Sequence, residues 1–582
     1  MKNLFCFFRD YKKEGVLAPL FKLLEALFEL LVPLYVAKII NNGIHNADYS
    51  YIIKQFAMLI VLASIGLTCS ITAQYFSAKA SVGFATKLRK ALFDHIQSLS
   101  YKELDTIGTD TLITRMTSDV NQIQNGLNLL LRLLLRSPFI VFGAMIMAFT
   151  IDLKSAIIFT VTIPVLAVVV FAIMLISIPM FKKVQKALDN VLSSTRENLT
   201  GVRVIRAFRR EYNEIKLFDE KNNLLTKLNE KVGRISALMN PMTYALINIA
   251  TIILIYVGAC EVNLGVIKQG DVVALYNYMA QIVVELIKLA SLIITVDKSL
   301  ACAGRVSSVL DIKPSMHYAL ENKTNSDYAI SFDNVCFAYA GSSEPALENI
   351  SFNIKASQTL GIIGGTGSGK STLANLIARF YDANSGNIII NGKDIKSYEK
   401  NQLTSIIGVV PQKAVLFHGS IRDNMRLGNE NATDEQIFNA LKIAQAENVV
   451  NDKKGKLDFI IEQNGRNLSG GQKQRLTIAR AIVNNPSILI MDDSASALDF
   501  ATDASLRNAV SKLDMTTVII SQRTSSIMNS DLILVLDDGK IAGQGSHQEL
   551  MKNCRIYQEI YYSQFPKEKP LDFEFDTEAE NG

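Results

Sequence analysis

The chain has 582 residues, of which 49% are hydrophobic, and its mean hydropathy is +0.20. Because 20% of the residues are charged, a positive mean hydropathy requires the hydrophobic residues to be concentrated in one part of the chain. The net charge of +5 is too small for a protein that binds nucleic acid through an excess of basic residues, so nucleic acid is excluded as a partner.

The N-terminal half contains six hydrophobic stretches about as long as a membrane-spanning helix, which needs about 20 mostly apolar residues. The fourth, AIIFTVTIPVLAVVVFAIMLISI, is the most hydrophobic, whereas the third and the sixth are more polar. The six predicted spans are residues 16–40, 51–77, 128–151, 155–177, 241–261 and 271–297. Residues 1–310 are therefore predicted to form an α-helical polytopic membrane domain.

Positive charge indicates how this domain is oriented. The loops after the second and fourth spans, residues 79–127 and 177–240, are rich in Lys and Arg, whereas residues 41–50 have none. Since cytoplasmic loops carry the excess of Lys and Arg, both termini are predicted to lie in the cytoplasm. The two basic loops contain little Gly or Pro, so the membrane helices are expected to continue through them into the cytoplasm.

Several ionisable residues lie inside the predicted spans, where each costs a few kcal/mol unless it faces water or a partner. They occur in pairs on spans one, three and six, namely Glu25 and Glu29, Arg132 and Arg136, and Glu285 and Lys288. Two interpretations remain open: a path for an amphipathic cargo, with a cationic cargo as one option, or ion pairs between helices and contacts with lipid headgroups.

The pattern changes after Arg305. Residues 311–329 are polar and are predicted to be a linker. From Ile330 onward, short β-type runs alternate with helical segments, which is typical of an α/β domain with a parallel sheet. These runs are SFDNVCFAY, LGIIG, NIIING, ILIMD, TVIIS and LILVL. This domain is predicted to span residues 330–566, and the acidic tail 567–582 is predicted to be disordered.

A phosphate-binding loop opens this domain, because the run GGTGSGKS fits the pattern G-x-x-x-x-G-K-[ST] between a strand-like and a helix-like segment. Glycines let backbone N–H groups converge on phosphates, Lys370 reaches the β- and γ-phosphates, and the Ser371 hydroxyl binds Mg²⁺. The predicted binding residues are Gly364, Gly365, Thr366, Gly367, Ser368, Gly369, Lys370, Ser371 and Thr372. Asp492 ends the hydrophobic strand ILIMD and is predicted to hold Mg²⁺ through water. The predicted ligands are therefore ATP and Mg²⁺.

Between these two motifs lies the run Leu468, Ser469, Gly470, Gly471 and Gln472, which matches the signature motif of the ABC transporter superfamily. The chain resembles this family over nearly its whole length. A membrane domain ahead of one nucleotide domain of ABC type resembles the exporter half-transporter. Residues 100–109 and 197–208 resemble the intracellular segments by which exporters contact their ATP-binding domains.

The resemblance assigns further roles. Tyr339 resembles the aromatic residue that stacks on adenine, and Gln412 resembles the residue that contacts Mg²⁺ and faces the membrane domain. In this family the signature motif of one chain completes the ATP site of the other. The resemblance therefore implies that residues 468–472 and Asp499 act on a partner's ATP.

Two positions depart from the pattern of active exporters. The general-base position after Asp492 holds Asp493 where active sites have Glu, and the switch position holds Gln522 where they have His. A shorter carboxylate is displaced by roughly 1 Å, which can cost about a hundredfold in rate. Glutamine, unlike histidine, cannot carry a proton at neutral pH. The site is therefore expected to bind ATP but to hydrolyse it poorly.

The predicted function is a subunit of an ATP-driven exporter in the cytoplasmic membrane that moves drugs, lipids or peptides. It resembles the degenerate-site subunit of heterodimeric bacterial multidrug exporters, with a partner that supplies the competent Glu and His. The alternatives are an ATP-gated regulatory or channel-like subunit and a homodimeric exporter with slow turnover. A channel predicts a continuous polar stripe along several spans, whereas the sequence shows isolated charges.

Overall fold

The computed structural model describes residues 2–316, 327–494 and 497–570. The chain divides into two compact units. The first comprises Met1–Gln97 and Thr109–Ile312, and the second comprises Ser98–Gly108 and the chain from Lys313 onward. Most of the predicted linker and tail, residues 317–326 and 571–582, lies outside the described residues.

The first unit is helical. Its α-helices are α1 (Lys12–Lys38), α2 (Tyr49–Ser98), α4 (Thr109–Thr114), α5 (Val120–Leu133), α6 (Arg136–Ile151), α7 (Leu153–Thr200), α8 (Val202–Ala207), α9 (Glu211–Ala237), α10 (Met239–Asn263) and α11 (Gln269–Leu310). The short helix α3 (Tyr101–Ile107) belongs to the second unit. Its core is formed by small and aliphatic side chains from α1, α6, α7, α10 and α11, such as Ala26, Ala144, Leu254 and Leu275. Small residues allow membrane helices to approach closely.

Five helical stretches of the described chain are long and apolar enough to cross a membrane: Tyr49–Ser98, Thr109–Ile151, Leu153–Thr200, Glu211–Asn263 and Gln269–Leu310. They contain the second to sixth predicted spans. The first predicted span falls mostly in α1, a 27-residue helix that is not one of these five stretches and that carries charged side chains such as Lys22, Glu25 and Glu29. The count of six spans therefore stays a prediction.

The long helices extend beyond the predicted spans, as the composition of the basic loops indicated. Helix α2 has 50 residues and α7 has 48, about twice the length needed to cross a bilayer. The third predicted span differs from the expectation of one continuous helix. It is interrupted by a turn at Leu134 and Leu135, where α5 ends and α6 begins.

The described residues of the second unit form three sheets. Its strands are β1 (Tyr328–Phe337), β2 (Leu347–Lys355), β3 (Thr359–Gly364), β4 (Ser385–Ile390), β5 (Lys393–Asp394), β6 (Ile407–Val410), β7 (Gly419–Ser420), β8 (Ile460–Ile461), β9 (Ile488–Asp492), β10 (Thr516–Ile520), β11 (Leu532–Asp537) and β12 (Lys540–Gly545). A six-stranded sheet has the order β12-β11-β3-β10-β9-β6 and is parallel except for the edge strand β12. A separate antiparallel sheet has the order β2-β1-β4-β5, and β7 pairs with β8.

The α/β class is confirmed, but the expectation of one parallel sheet was wrong for two of its strands. The runs that form β1 and β4 were read as parallel strands, yet both pair antiparallel in the smaller sheet. Their buried faces, which include Phe332 and Ile388, join the hydrophobic core shared with β3 and β9. Strand β1 also begins at Tyr328, two residues before the predicted start of the domain.

Helices cover this core. They are α12 (Lys370–Ile377), α13 (Lys400–Ile406), α14 (Ile421–Arg426), α15 (Asp434–Ile443), α16 (Glu447–Asn451), α17 (Gly470–Ile482), α18 (Phe500–Val510), α19 (Thr524–Ile527), α20 (His547–Asn553) and α21 (Arg555–Gln564). The carboxyl ends of β3 and β9 lie on the same edge of the parallel sheet, separated only by β10. Ligands of open parallel sheets bind at this edge, so the topology brings the two predicted phosphate motifs together.

Candidate functional site

The predicted phosphate loop joins β3 to α12 and takes a conformation that requires glycine. Gly367 has φ +87° and Gly369 has φ +96°, both in the left-handed region that other residues rarely adopt. A Cβ atom at Gly369 would lie 2.8 Å from the carbonyl oxygen of Ala346. The loop ends at the N-terminus of α12, where free backbone N–H groups and the helix dipole favour an anion.

Lys370 lies inside the curve of this loop. Its Nζ donates hydrogen bonds to the carbonyl oxygen of Gly364 at 3.0 Å, to that of Gly365, and to Ser368 Oγ at 3.3 Å. Burial lowers the pKa of Lys370, whereas the carboxylates of Asp492 and Asp493 act in the opposite direction. The ammonium group is thus held by neutral oxygens, from which an anionic phosphate would draw it as a stronger acceptor.

Ser371 and Asp492 supply two side-chain oxygen atoms that could bind a magnesium ion. The Ser371 hydroxyl donates to Asp492 Oδ1 at 3.3 Å, so a hydroxyl and a carboxylate oxygen lie within reach of one cation. Burial raises the pKa of Asp492, while the Ser371 hydrogen bond and the charge of Lys370 lower it. Magnesium prefers such oxygen ligands, and the residues therefore fit it. When bound, Mg²⁺ neutralises negative charge on phosphate oxygens.

Most of the predicted ATP-binding residues line one cleft of about 320 Å³. Its predicted members are Tyr339, Thr366, Gly367, Gly369, Lys370, Ser371, Thr372, Gln412, Asp492, Asp493 and Gln522, and Ala346, Ile520 and Ser521 complete its wall. Gly364, Gly365 and Ser368 form the loop behind it, and Ser368 is buried. The structure thus brings together residues that are up to 183 positions apart, from Tyr339 to Gln522.

The two departures from the exporter pattern both face this cleft. Asp493 has φ +44°, and its backbone N–H donates to the carbonyl oxygen of Ile520 at 2.9 Å. Its carboxylate accepts from Gln412 Nε2 at 3.5 Å, the limit of a hydrogen bond. Gln522 is exposed, and its carbonyl oxygen accepts from Gln564 Nε2 at 2.8 Å. The backbone at both positions is therefore fixed while the side chains remain at the cleft.

The signature residues do not line this cleft. Ser469 caps the 13-residue helix α17: its Oγ accepts from the N–H of Gln472 at 3.3 Å, and Gln472 Oε1 accepts from the N–H of Ser469 at 3.0 Å. Gly470 is exposed, and a Cβ atom there would meet no atom within 4 Å. Leu468 is buried, whereas Gly471 would place a Cβ 3.1 Å from the oxygen of Ala497.

Asp499 lies outside the cleft as well. Its side chain caps α18 by accepting from the N–H of Thr502 at 3.0 Å, and this hydrogen bond lowers the pKa of Asp499. Asp499 is exposed and therefore accessible to another chain in addition to its capping role.

Sequence reasoning missed a cluster next to Tyr339. The Tyr339 hydroxyl shares a hydrogen bond with Thr372 Oγ1 at 3.2 Å, and its ring packs edge-on against Tyr381 with centroids 5.4 Å apart. Tyr381 in turn donates its hydroxyl proton to the carboxylate of Asp105, and Tyr101 stacks on Phe380 at 4.7 Å. These contacts attach α3 to the ATP-binding fold. No local motif could reveal them, because Asp105 and Tyr381 are 276 positions apart.

Tyr381→Phe and Asp105→Ala each remove the same hydrogen bond, so we expect their effects to be non-additive. A hydrogen bond to a carboxylate at a partly exposed site contributes about 1 kcal/mol, so each single variant should speed backbone hydrogen exchange in Tyr101–Ile107 about fivefold. The double variant should exchange no faster than either single variant. Tyr212→Phe, an exposed position in α9, is the control. Additive effects in the double variant would contradict the assignment.

Most of the charged residues inside the predicted spans form ion pairs with one another. Arg136 forms ion pairs of 2.7 Å with both Glu29 and Glu285, and Glu25 lies 3.9 Å from the same guanidinium. Glu285 also accepts from Lys288 at 2.8 Å. These contacts connect α1, α6 and α11. Of the two interpretations left open by the sequence, ion pairing between helices accounts for four of the six charged residues, and Lys288 pairs within α11. Arg132 has no such pair among the described residues.

Comparisons with known proteins agree with this arrangement. The family described as ABC transporter transmembrane region matches residues 16–286, and the family described as ABC transporter matches residues 347–496. The chain is 35% identical over 571 residues to the uncharacterized ABC transporter ATP-binding protein YfiB of Bacillus subtilis, covering 98% of this chain and 99% of that protein.

Two further relatives cover nearly all of the chain. It is 30% identical to the uncharacterized ABC transporter ATP-binding protein YfiC of Bacillus subtilis, with 97% of this chain and 94% of that protein covered. It is 27% identical to an ATP-dependent lipid A-core flippase of Vibrio parahaemolyticus, with 97% of both covered.

A solved structure of a bacterial Atm1-family ABC exporter with ATP bound has the same fold, with a TM-score of 0.80 at 24% identity over 95% of this chain and 99% of that chain. The fused membrane and ATP-binding regions, the full-length relatives and the shared fold lead to one conclusion. The chain belongs to the ABC transporter family, as a membrane-embedded half-transporter with a cytoplasmic ATP-binding domain that couples ATP hydrolysis to transport.

Proposed function

We propose that this chain is the slow-turnover subunit of an asymmetric exporter pair, whose signature segment completes the ATP site of a different partner chain. The observation that carries the proposal is that Asp493 lines the ATP cleft and that its side chain is one methylene shorter than that of Glu. Its backbone is fixed by the hydrogen bond to Ile520, so the carboxylate cannot advance by a shift of the main chain. A displacement of about 1 Å costs about a hundredfold in rate.

The residues of this chain then have separate tasks. Lys370 and the N–H groups of the phosphate loop bind phosphate, and Ser371 with Asp492 binds Mg²⁺. Tyr339 stacks on the base, and Gln412 contacts Mg²⁺. Gln522 can donate a hydrogen bond to a phosphate but cannot take a proton. Binding is thereby retained while the proton transfer needed for hydrolysis is weakened.

Two findings support a partner. Ser469, Gly470 and Asp499 are exposed and lie outside this chain's own cleft, which leaves them open to a nucleotide held by another chain. Bacillus subtilis has two distinct relatives, YfiB and YfiC, each similar to this chain over nearly its full length. One bacterium thus encodes more than one such half-transporter, as a heterodimer requires.

The proposed cargo class is amphipathic: drugs, lipids or peptides moved outward across the cytoplasmic membrane. The flippase among the relatives moves a lipid by its printed name, and the membrane unit here exposes large apolar side chains along its helices. An ATP-gated channel is disfavoured because the charges of α1, α6 and α11 pair with one another in the part of the chain that the structure describes.

The test is steady-state phosphate release by the reconstituted pair. We expect Asp493→Asn to change the rate by no more than about twofold, since a misplaced base has little to lose. Replacing the partner's glutamate at the corresponding position by glutamine should reduce the rate at least about a hundredfold.

The opposite pattern would overturn the proposal. If Asp493→Asn stopped phosphate release, Asp493 would be a working general base, and a homodimer of this chain would become the better description. Full activity of the chain on its own would lead to the same conclusion.

A further inference from the structure

The membrane unit contains two arginines one turn apart whose surroundings are opposite. Arg136 is buried and surrounded by three carboxylates, two of them at 2.7 Å. Arg132 forms no ion pair or hydrogen bond through its side chain among the described residues, and its Nε is buried without an acceptor. An arginine that lacks an acceptor inside a membrane span is costly, so such a residue is expected to bind a ligand.

The neighbouring carboxylates already accept hydrogen bonds from other cations and do not pair with Arg132. Glu285 already accepts from Arg136, Ser137 and Lys288, and Glu29 accepts from Arg136. Glu25 accepts from Lys22 at 2.5 Å. At this level of the bundle four cations, Lys22, Arg132, Arg136 and Lys288, face three carboxylates, Glu25, Glu29 and Glu285. The excess of one positive charge resides on Arg132.

The packing of α5 and α6 against α11 shows what lies beside Arg132. Ser299 Oγ donates to the carbonyl oxygen of Gln122, and farther along Arg136 pairs with Glu285. Helix α11 therefore runs antiparallel to α5 and α6, so Arg132 lies at the level of the α11 segment just after Lys288. A second ammonium group close to this level adds to the positive potential there.

Exposed apolar side chains follow Arg132 in the chain. The turn between α5 and α6 exposes Leu134 by 46% and Leu135 by 50%, two and three residues farther into the predicted span than Arg132. The guanidinium thus lies nearer the cytoplasmic end of the span and exposed leucines lie deeper. That order matches an amphiphile whose charged headgroup is toward the cytoplasm and whose chain is in the membrane.

We propose that Arg132 binds the anionic headgroup, a phosphate or carboxylate, of an amphiphile whose apolar chain lies along Leu134 and Leu135. The planar guanidinium can donate two parallel hydrogen bonds to either group, which an ammonium cannot do. The proposal deepens the export function by naming an anionic cargo class, and it replaces the cationic cargo that the charge pattern left open. It rests on the export function but not on the asymmetry of the ATP sites.

The chain has no tryptophan, so one tryptophan introduced at Leu135→Trp is a unique fluorescent reporter beside the site. The full-length chain in phosphatidylcholine nanodiscs is titrated with phosphatidylglycerol or phosphatidylcholine that carries brominated chains. Charge-assisted hydrogen bonds make the expected preference for the anionic lipid at least about tenfold in the half-quenching fraction. No nucleotide is added, so failure here is distinct from failure of the proposed ATP-site asymmetry.

In the same background, Arg132→Gln should abolish the preference, and Arg132→Lys should restore part of it because the charge returns without the paired donors. Arg196→Gln, an exposed arginine of α7, is the matched control and should leave the preference unchanged. An unchanged preference in Arg132→Gln would overturn the proposal, and so would equal quenching by both lipids in the chain that retains Arg132.

A final arm distinguishes the two sources of such a headgroup. Water-soluble decyl phosphate is added to the chain quenched by brominated phosphatidylglycerol. Recovery of fluorescence with Arg132 present, and not with Arg132→Gln, identifies a site open to a free anionic amphiphile. Quenching that depends on Arg132 but resists decyl phosphate identifies a membrane lipid headgroup as the resident ligand.

Discussion

Replacing Gly470 by Asp is expected to stop ATP turnover by the assembled transporter, although every residue of this chain's own cleft is unchanged. Gly470 begins α17, where the helix N-terminus would face phosphates held by the partner chain. A carboxylate about 4 Å from a phosphate charge is repelled by about 4 kcal/mol at an effective dielectric constant of 20, which corresponds to about a thousandfold. The measurement is phosphate release from the reconstituted pair.

The substitution at Gly470 should change activity without unfolding the domain. A Cβ at Gly470 meets no atom within 4 Å, and an acidic residue in the first turn stabilises a helix. Gly470→Ala is the matched control and should retain most of the activity, since it adds the same Cβ without charge. If Gly470→Asp turned over ATP normally while its thermal stability was unchanged, the segment 468–472 would not act on any nucleotide.

The phosphate motifs could be predicted because each lies within one short run of the chain. Gly364–Ser371 form the phosphate loop with the first residues of α12, and Leu468–Gln472 form the N-terminus of α17. The local geometry of each motif can therefore be predicted from the spacing of its residues. The sheets were harder to predict. The runs of β1 and β9 are both hydrophobic and β-branched, and pairing direction depends on partners far away in sequence, which made β1 appear parallel.

Long-range contacts account for the rest of what sequence could not reveal. Arg132 and Arg136 are the same residue type, one turn apart, and appear equivalent in the sequence. Only the packing of α6 against α1 and α11 gives Arg136 three carboxylates and leaves Arg132 with none. The hydrogen bond between Tyr381 and Asp105 joins an intracellular segment to the ATP-binding fold in the same way.

The same reasoning explains why the first span remained a prediction. Lys22 and Glu25 lower the hydropathy of α1, yet they pair with each other at 2.5 Å and the lysine is buried. Paired charges cost less in a membrane than the sum of isolated charges. A hydropathy scale that adds the contribution of each residue separately therefore underestimates how stable α1 is in a membrane.

Lys370→Ala is expected to remove ATP binding at this chain's own cleft. The ammonium group, now held by Gly364, Gly365 and Ser368, is the only lysine or arginine among the described residues that line the cleft. Hydrogen bonds from a charged donor contribute about 1.5–3 kcal/mol, so losing them with the charge should weaken binding at least about a hundredfold.

Photolabelling with 8-azido-ATP on the full-length chain reports binding at this cleft separately from the partner's site. Lys370→Arg should retain part of the labelling because the charge remains, and Lys400→Ala, an exposed lysine of α13 outside the cleft, should label normally. The expected outcome for Lys370→Ala is a labelled fraction below a tenth of that of the unsubstituted chain at the same nucleotide concentration, because a hundredfold weaker site stays mostly empty. Normal labelling of Lys370→Ala would mean that the loop between β3 and α12 does not bind the phosphates, and the division of tasks between the two ATP sites would lose its basis.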